Sequence, residues 1–249
     1  MGRVPGARPA AAGTGYLGRM STPAALRPAA TVILLRDGAD GPEVWLMERS
    51  RSVGFMPSAW VFPGGRVDPA DEATPVLGGD LERVPRAFWA AALREMAEEA
   101  GVALRDGEAW DLRGVNVWAH WITPEVEPRR YDTWFFVAKL PEGAEAVVDG
   151  EEATRGGWFR PVEAMARSER GELPVAPPTL RTLMELAPYD SVEAVLAARR
   201  HTPPIMPRFV QDGEQTFVLL PGDPEHPSAE QVEPPWRYEF SRGRWWARA

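Results

Sequence analysis

Arg94-Glu95-Met96-Ala97-Glu98-Glu99-Ala100-Gly101-Val102 is the stretch on which the reading of this chain turns. It ends a segment, Arg86 to Ala100, with helical spacing: Phe88, Ala92, Met96 and Ala100 fall on one face at i, i+4. Pro85 stands where a first turn tolerates proline, and Gly101 where a left-handed residue closes a helix. On such a helix Glu95 lies three and four residues before Glu98 and Glu99, so the three carboxylates share a face. Two like charges about 4 Å apart, at an effective dielectric near 20, repel by about 4 kcal/mol. A hard divalent cation turns that repulsion into coordination, because Mg²⁺ prefers oxygen ligands. Arg94 beside them is placed to pair with an acid and hold it. Acidic helix faces are more often simply solvated. This one is set apart by the glycine stop after it and by Phe62-Pro63-Gly64-Gly65 before it.

Working outward, Thr31 to Leu35 is a short apolar, β-branched run that predicts a buried strand. Asp37-Gly38 and Asp40-Gly41 signal a turn, and Glu43 to Glu48 resumes as a second strand, so a hairpin is expected. Ala59 to Phe62 is a further short strand, and residues 66–84 read as a loop. Strands are also expected over Val115 to Ile122, Thr133 to Leu140 and up to Trp158-Phe159. Pro161 to Arg167 and residues 178–199 are helical in pattern. The Pro- and Trp-rich last 50 residues show one clear strand, Thr216 to Leu220. Strands flanked by helices suggest an α/β chain with a mixed sheet between helices. The organisation predicted is a flexible segment 1–27, a core 28–168 and a helical, irregular extension 169–249 packed on it. Met20 is an alternative start to Met1.

Composition narrows the partners. The 249 residues are 44% hydrophobic and 26% charged, the balance of a globular, soluble chain. A formal net charge of -8 argues against a nucleic-acid polymer, whose phosphates call for a basic surface. Small phosphorylated ligands remain compatible, since a divalent cation supplies positive charge locally. The absence of Cys removes disulfides and thiolate metal sites and is compatible with a reducing, cytoplasmic setting. No apolar run approaches the roughly 20 residues of a spanning helix, so no membrane partner is expected. A homodimer is left open.

The stretch resembles the Nudix box, G-x5-E-x7-R-E-U-x-E-E-x-G-U, with U aliphatic. Arg94 to Val102 matches the second half at every defined position, taking Met96 as U, and Gly65 matches the opening glycine. Five specified residues at fixed spacing arise by chance on the order of once in a million windows. The middle departs: the sixth residue after Gly65 is Asp71, with Glu72 next, and residues 73–84 (ATPVLGGDLERV) look like an insertion before the helix. Which acid, Asp71 or Glu72, pairs with Arg94 is left open. The insertion is expected to be a surface loop outside the core. The interrupted box is similar to the branch of peroxisomal-type coenzyme A diphosphatases and their bacterial relatives. Thr123-Pro124-Glu125, Arg130-Tyr131-Asp132-Thr133 and Gly54-Phe55-Met56-Pro57 point the same way.

The resemblance implies a Nudix α/β/α sandwich with a C-terminal extension. It also implies hydrolysis of a diphosphate linkage in a nucleoside-diphosphate derivative, with coenzyme A or acyl-CoA favoured. Nucleotide sugars, dinucleotides and nucleoside triphosphates are alternative substrates, and a non-catalytic sensing domain is the alternative of another class. It further implies Mg²⁺ or Mn²⁺ on Glu98 and Glu99, with Glu95 binding metal or deprotonating water and the Gly65 carbonyl a further ligand. Glu152, in a loop before Trp158, is the choice for an additional acid facing the metals. Arg129 and Arg130 are candidates for contacts to substrate phosphate. His120 is a lesser candidate base. Of Trp118, Trp121, Tyr131 and Trp134, most are expected to pack the core and some to stack on a base.

Overall fold

The computed structural model describes residues 23–50, 58–150 and 153–248. β1 (Leu26–Gly38) and β2 (Gly41–Arg49) form the expected hairpin, with Gly38 opposite Gly41. β3 (Trp60–Val61) pairs with β2, and β4 (Gly64–Arg66) with β1. A 3₁₀ turn, Pro69–Glu72, and β5 (Val76–Leu77) lead to α1 (Arg86–Ala100), which Gly101 ends in a left-handed conformation at φ 68°. β6 (Arg105–Asp106) and β7 (Ala109–Asp111) form a small hairpin that β5 joins in parallel. β8 (Asn116–Ile122), β9 (Arg130–Lys139) and β10 (Ala153–Phe159) follow. Then come α2 (Pro161–Arg170), α3 (Pro177–Leu186) and α4 (Val192–Ala197). β11 (Pro204–Ile205) returns to the edge beside β8. The chain ends in β12 (Arg208–Asp212), β13 (Gln215–Leu219), β14 (Arg237–Ser241) and β15 (Arg244–Arg248).

The main sheet is mixed, in the order β10-β2-β1-β9-β8-β11. β1 is its axis. One edge pairs in parallel with β9 from Leu26 to Leu35; the other changes partner, meeting β4 over Ala29–Thr31 and β2 over Leu35–Gly38. Val32, Ile33, Leu34 and Leu35 are all fully buried, as a strand covered on both faces requires. Val32 and Leu34 join the core under α1, with Trp89, Leu93 and Met96. Ile33 and Leu35 join the core on the opposite face, with Leu183 of α3, Val195 of α4 and Val218 and Tyr238 of the terminal sheet. The architecture is therefore the expected α/β/α sandwich.

Several expectations need correction. The buried face of α1 centres on Trp89, Leu93, Met96 and Ala100, while Phe88 is only half-buried. Trp89 anchors the face because it packs on Phe136 with tilted rings 4.4 Å apart and donates its indole N–H to the Val84 carbonyl. The segment 73–84 is mostly exposed, but it is not wholly outside the core: Val84 is fully buried and β5 is part of a three-stranded sheet. The helix expected over 178–199 is two, because the Pro188 region interrupts it and Ser191 starts α4 by accepting a bond from the Ala194 N–H. The tail is not irregular: β12 to β15 form an antiparallel sheet in chain order. Among the described residues no helix is long and apolar enough to cross a membrane.

Because Trp89 packs α1 on Phe136 of the sheet and its indole N–H ties the helix to the preceding segment at Val84, Trp89→Ala should lower unfolding stability by about 3–5 kcal/mol. Urea denaturation measures this; a midpoint close to that of the native chain would mean that α1 is anchored elsewhere.

Candidate active site

The carboxylate face is assembled where the end of α1 meets β4. Glu99, nine-tenths buried, accepts a hydrogen bond from the Gly64 N–H at 2.7 Å, which fixes the Gly-Gly strand against the helix. The two glycines are required by space. A Cβ on Gly64 would come within 2.7 Å of the Thr31 Cα, and one on Gly65 within 2.5 Å of the Glu95 carboxyl carbon. The backbone of β4 thus lies directly on the Glu95 carboxylate, an approach only glycine allows.

Arg94 organises the rest. Its Nε and Nη2 donate to the two oxygens of Asp71, both at 3.1 Å, in a bidentate pair. Nη2 also donates to the Arg66 carbonyl at 2.9 Å, and Nη1 bridges Glu95 at 3.0 Å and Glu98 at 2.9 Å. Burial alone would lower the Arg94 pKa; the hydrogen bonds to Asp71 and the attraction of Glu95 outweigh it and hold the group above its ordinary value. The choice between Asp71 and Glu72 is thereby resolved. Asp71 is 2% exposed and turned inward by the 3₁₀ turn, where it also accepts from the Asp68 N–H; Glu72 is exposed.

Among the described residues no three carboxylates or histidines converge as a ready metal cage. The Glu98 side chain is 58% exposed, whereas Glu95 is 15% exposed, so the outer ligand candidate is the one with room to move. A cleft of about 500 Å³ opens beside Glu95 and runs past Gly64, Gly65, Arg49 and Arg66. The two arginines escaped the sequence reading. Arg66 directly follows the glycine pair, which was an available signal, but Arg49 reaches the cleft only through the β2–β3 pairing. Nε of Arg49 is buried and has no hydrogen-bond partner among the described residues.

Other candidates lie elsewhere. Arg130 is buried and donates to the Thr123 and Ala24 carbonyls, so it ties the β8–β9 turn to the lead-in of β1 rather than reaching a ligand. Arg129 is exposed and lines a neighbouring hollow. His120 is not with the glutamates: it contacts Asp132 at 2.5 Å, stacks on Trp134 at 4.0 Å and lines a separate cavity near Arg200. Trp118 and Trp121 pack in the core, and Tyr131 lines the cleft. Glu152 and Gly54 to Pro57 lie outside the described residues.

The NUDIX domain family matches residues 25–177, and the chain belongs to that family of hydrolases. Acyl-coenzyme A diphosphatase NUDT19 of Xenopus laevis is 24% identical over 271 aligned residues, spanning 74% of this chain and 71% of that protein. Acyl-coenzyme A diphosphatase NUDT19 of Gallus gallus is 26% identical over 280, spanning 74% and 73%. Among solved structures, a NUDIX hydrolase from Alicyclobacillus acidocaldarius shares 28% identity at a TM-score of 0.64, covering 72% of this chain and 99% of its own.

Two substitutions separate the roles. Gly65→Ala should displace the Glu95 carboxylate and cut kcat about 100-fold, the scale of an ångström-level misplacement, while the thermal midpoint changes little. Asp71→Ala should instead cost stability, about 2–3 kcal/mol by chemical denaturation, since it strips a buried partner from a charge that keeps some contact with water. Equal losses of stability in both variants would contradict this division.

Proposed function

We propose that this chain hydrolyses the diphosphate bond of coenzyme A or an acyl-coenzyme A, giving 3′,5′-ADP and 4′-phosphopantetheine or its acylated form. The observation that carries the reading is the cleft itself: Glu95 and Asp68 line it beside Gly64 and Gly65, with Arg49 and Arg66 within the same hollow. Such a hollow accepts a group bearing several negative charges only if cations meet them, and Arg49 and Arg66 supply two. The names of the relatives from Xenopus laevis and Gallus gallus support coenzyme A as the nucleotide.

The donor set suits a hard divalent cation, since every candidate ligand is an oxygen. Gly65 supports the same fit, because its missing Cβ lets backbone and carboxylate lie together. Glu98 and Glu99 would hold Mg²⁺ or Mn²⁺, with the Gly65 carbonyl beside them. When bound, the metal shields phosphate charge and acidifies water. The protein does the rest. Arg94 holds Glu95 and Glu98 on one nitrogen, and the Gly64 N–H orients Glu99. Glu95, shielded against β4, accepts the proton of the attacking water. A P–O bond forms from that water, the bridging P–O bond breaks, and the leaving phosphate departs toward the arginines.

Incubation with Mg²⁺ or Mn²⁺ and coenzyme A, followed by mass spectrometry, should show 3′,5′-ADP and 4′-phosphopantetheine. Intact coenzyme A alongside ready cleavage of ADP-ribose or a dinucleotide would replace the substrate. Glu98→Gln and Glu99→Gln should lower kcat by orders of magnitude in folded protein. Mg²⁺ at about 100 times its Kd should add about 2.7 kcal/mol of stability to the native chain, read as a rise in Tm, and much less to these variants.

A further inference from the structure

The cleft beside Glu95 does not stop at its own floor. Tyr131, Thr133, Phe135, Ala176 and Pro178 line it, and the same five residues line a second hollow of about 270 Å³. The two spaces adjoin along strand β9 and the start of α3. Their chemistry differs sharply. The first carries Glu95, Asp68, Arg49 and Arg66. The second is lined almost wholly by apolar groups, with Glu127 and Arg129 as its charged members.

The outer wall of the second hollow comes from the terminal sheet. Phe209 of β12, Val218 of β13 and Trp245 of β15 face Trp121 of β8 across it. These three residues lie beyond residue 177, where the family match ends. The sheet is firmly placed, because Val218 and Tyr238 are 2% and 0% exposed within the same core as Ile33 and Trp121. An apolar pocket is thus completed by residues beyond the matched domain, next to the cleft that holds Glu95.

We propose that this pocket binds the thioester-linked acyl chain of the substrate, whose diphosphate lies against the glutamates; the assignment rests on the reading of the chain as a coenzyme A diphosphatase. Coenzyme A places a long flexible arm between its diphosphate and its thiol, so one molecule can reach from a charged hollow into an apolar one. The volume lies just below the range usual for small-ligand sites, about 300–1,000 Å³, which fits a short or medium acyl chain and not a second nucleotide. The terminal sheet is then a specificity element: it sets which acyl groups are preferred and takes no part in breaking the diphosphate bond.

The test compares kcat/KM for free coenzyme A, butanoyl-CoA and octanoyl-CoA in the native chain and in Phe209→Ala. Phe209 is 37% exposed, so its truncation should leave a folded protein. Burial of each methylene should raise kcat/KM by about fourfold until the pocket is filled. Phe209→Ala should lower the octanoyl-to-free ratio by about tenfold. A flat series in the native chain, or a gradient that Phe209→Ala leaves intact, overturns the proposal. A second measurement is independent of turnover: S-octyl-pantetheine, which has no diphosphate, should bind the native chain in calorimetry and bind Phe209→Ala more weakly. If no coenzyme A thioester is cleaved, the reading of the function fails, and the apolar pocket is judged by this binding alone. Absence of binding then overturns it. So does a change in oligomeric state on Phe209→Ala without binding, which would make the hollow a contact between two copies of the chain.

Discussion

The guanidinium of Arg94 is the point through which the site's parts are connected. Its planar fork, charged at every relevant pH, meets the two oxygens of Asp71, the carboxylates of Glu95 and Glu98 and the carbonyl of Arg66. These acceptors come from three places in the chain: the 3₁₀ turn, the helix and β4. None of them would stay put alone. Asp71 is buried, and an ionised carboxylate in that position requires a partner. Glu95 and Glu98 share a helix face and repel each other. The arginine converts three unfavourable placements into one network, and the Gly64–Glu99 bond closes it from the other side. The accuracy of the carboxylate constellation therefore depends less on the helix than on what the helix is tied to.

That dependence explains what could be read from sequence and what could not. The bounds of α1 were legible to the residue, because its periodicity, Pro85 and Gly101 are local signals that no distant contact overrides. The glutamate face followed from the same helix. Of the predicted stripe, Ala92, Met96 and Ala100 are buried and only Phe88 is half-buried; i, i+4 counting does not reveal Trp89, which is placed by Phe136 of the sheet and by the Val84 carbonyl just before the helix. Arg130 illustrates the reverse error. The family resemblance made Arg130 a candidate phosphate contact, but the carbonyls of Thr123 and Ala24 needed a donor, and burial gives that need priority.

The terminal sheet was the largest omission. Only Thr216 to Leu220 has a run of apolar residues; β12, β14 and β15 set charged residues, mostly Arg, beside aromatics. In the structure those charges are paired across strands, as in Arg248 with Glu239, and Arg237 with Asp223 beside the sheet. The residues turned inward, Val218 and Tyr238, complete a core already formed by β1 and α3. A strand whose apolar side is supplied by another element shows little periodicity of its own. Its pairing with β13 also spans a long connection from Leu219 to Arg237, so no turn signal announces it.

The insertion shows how a motif survives disruption. Asp71 and Arg94 are 23 residues apart, yet they meet in a bidentate pair. The constraint is one of position in space, not of spacing, and lengthening a loop adds only slowly to its closure entropy, about 0.6 kcal/mol per doubling. The added chain also recovers part of that cost. Val76 and Leu77 pair with β7, and Val84 is buried next to Trp89, so the insertion is tied down at both its strand and its exit. Between those ties, Gly78 and Gly79 take positive φ and turn the chain over Leu112 and Arg113. An insertion pinned in this way leaves the 3₁₀ turn free to present Asp71 and the helix to present Arg94, so the two meet across it.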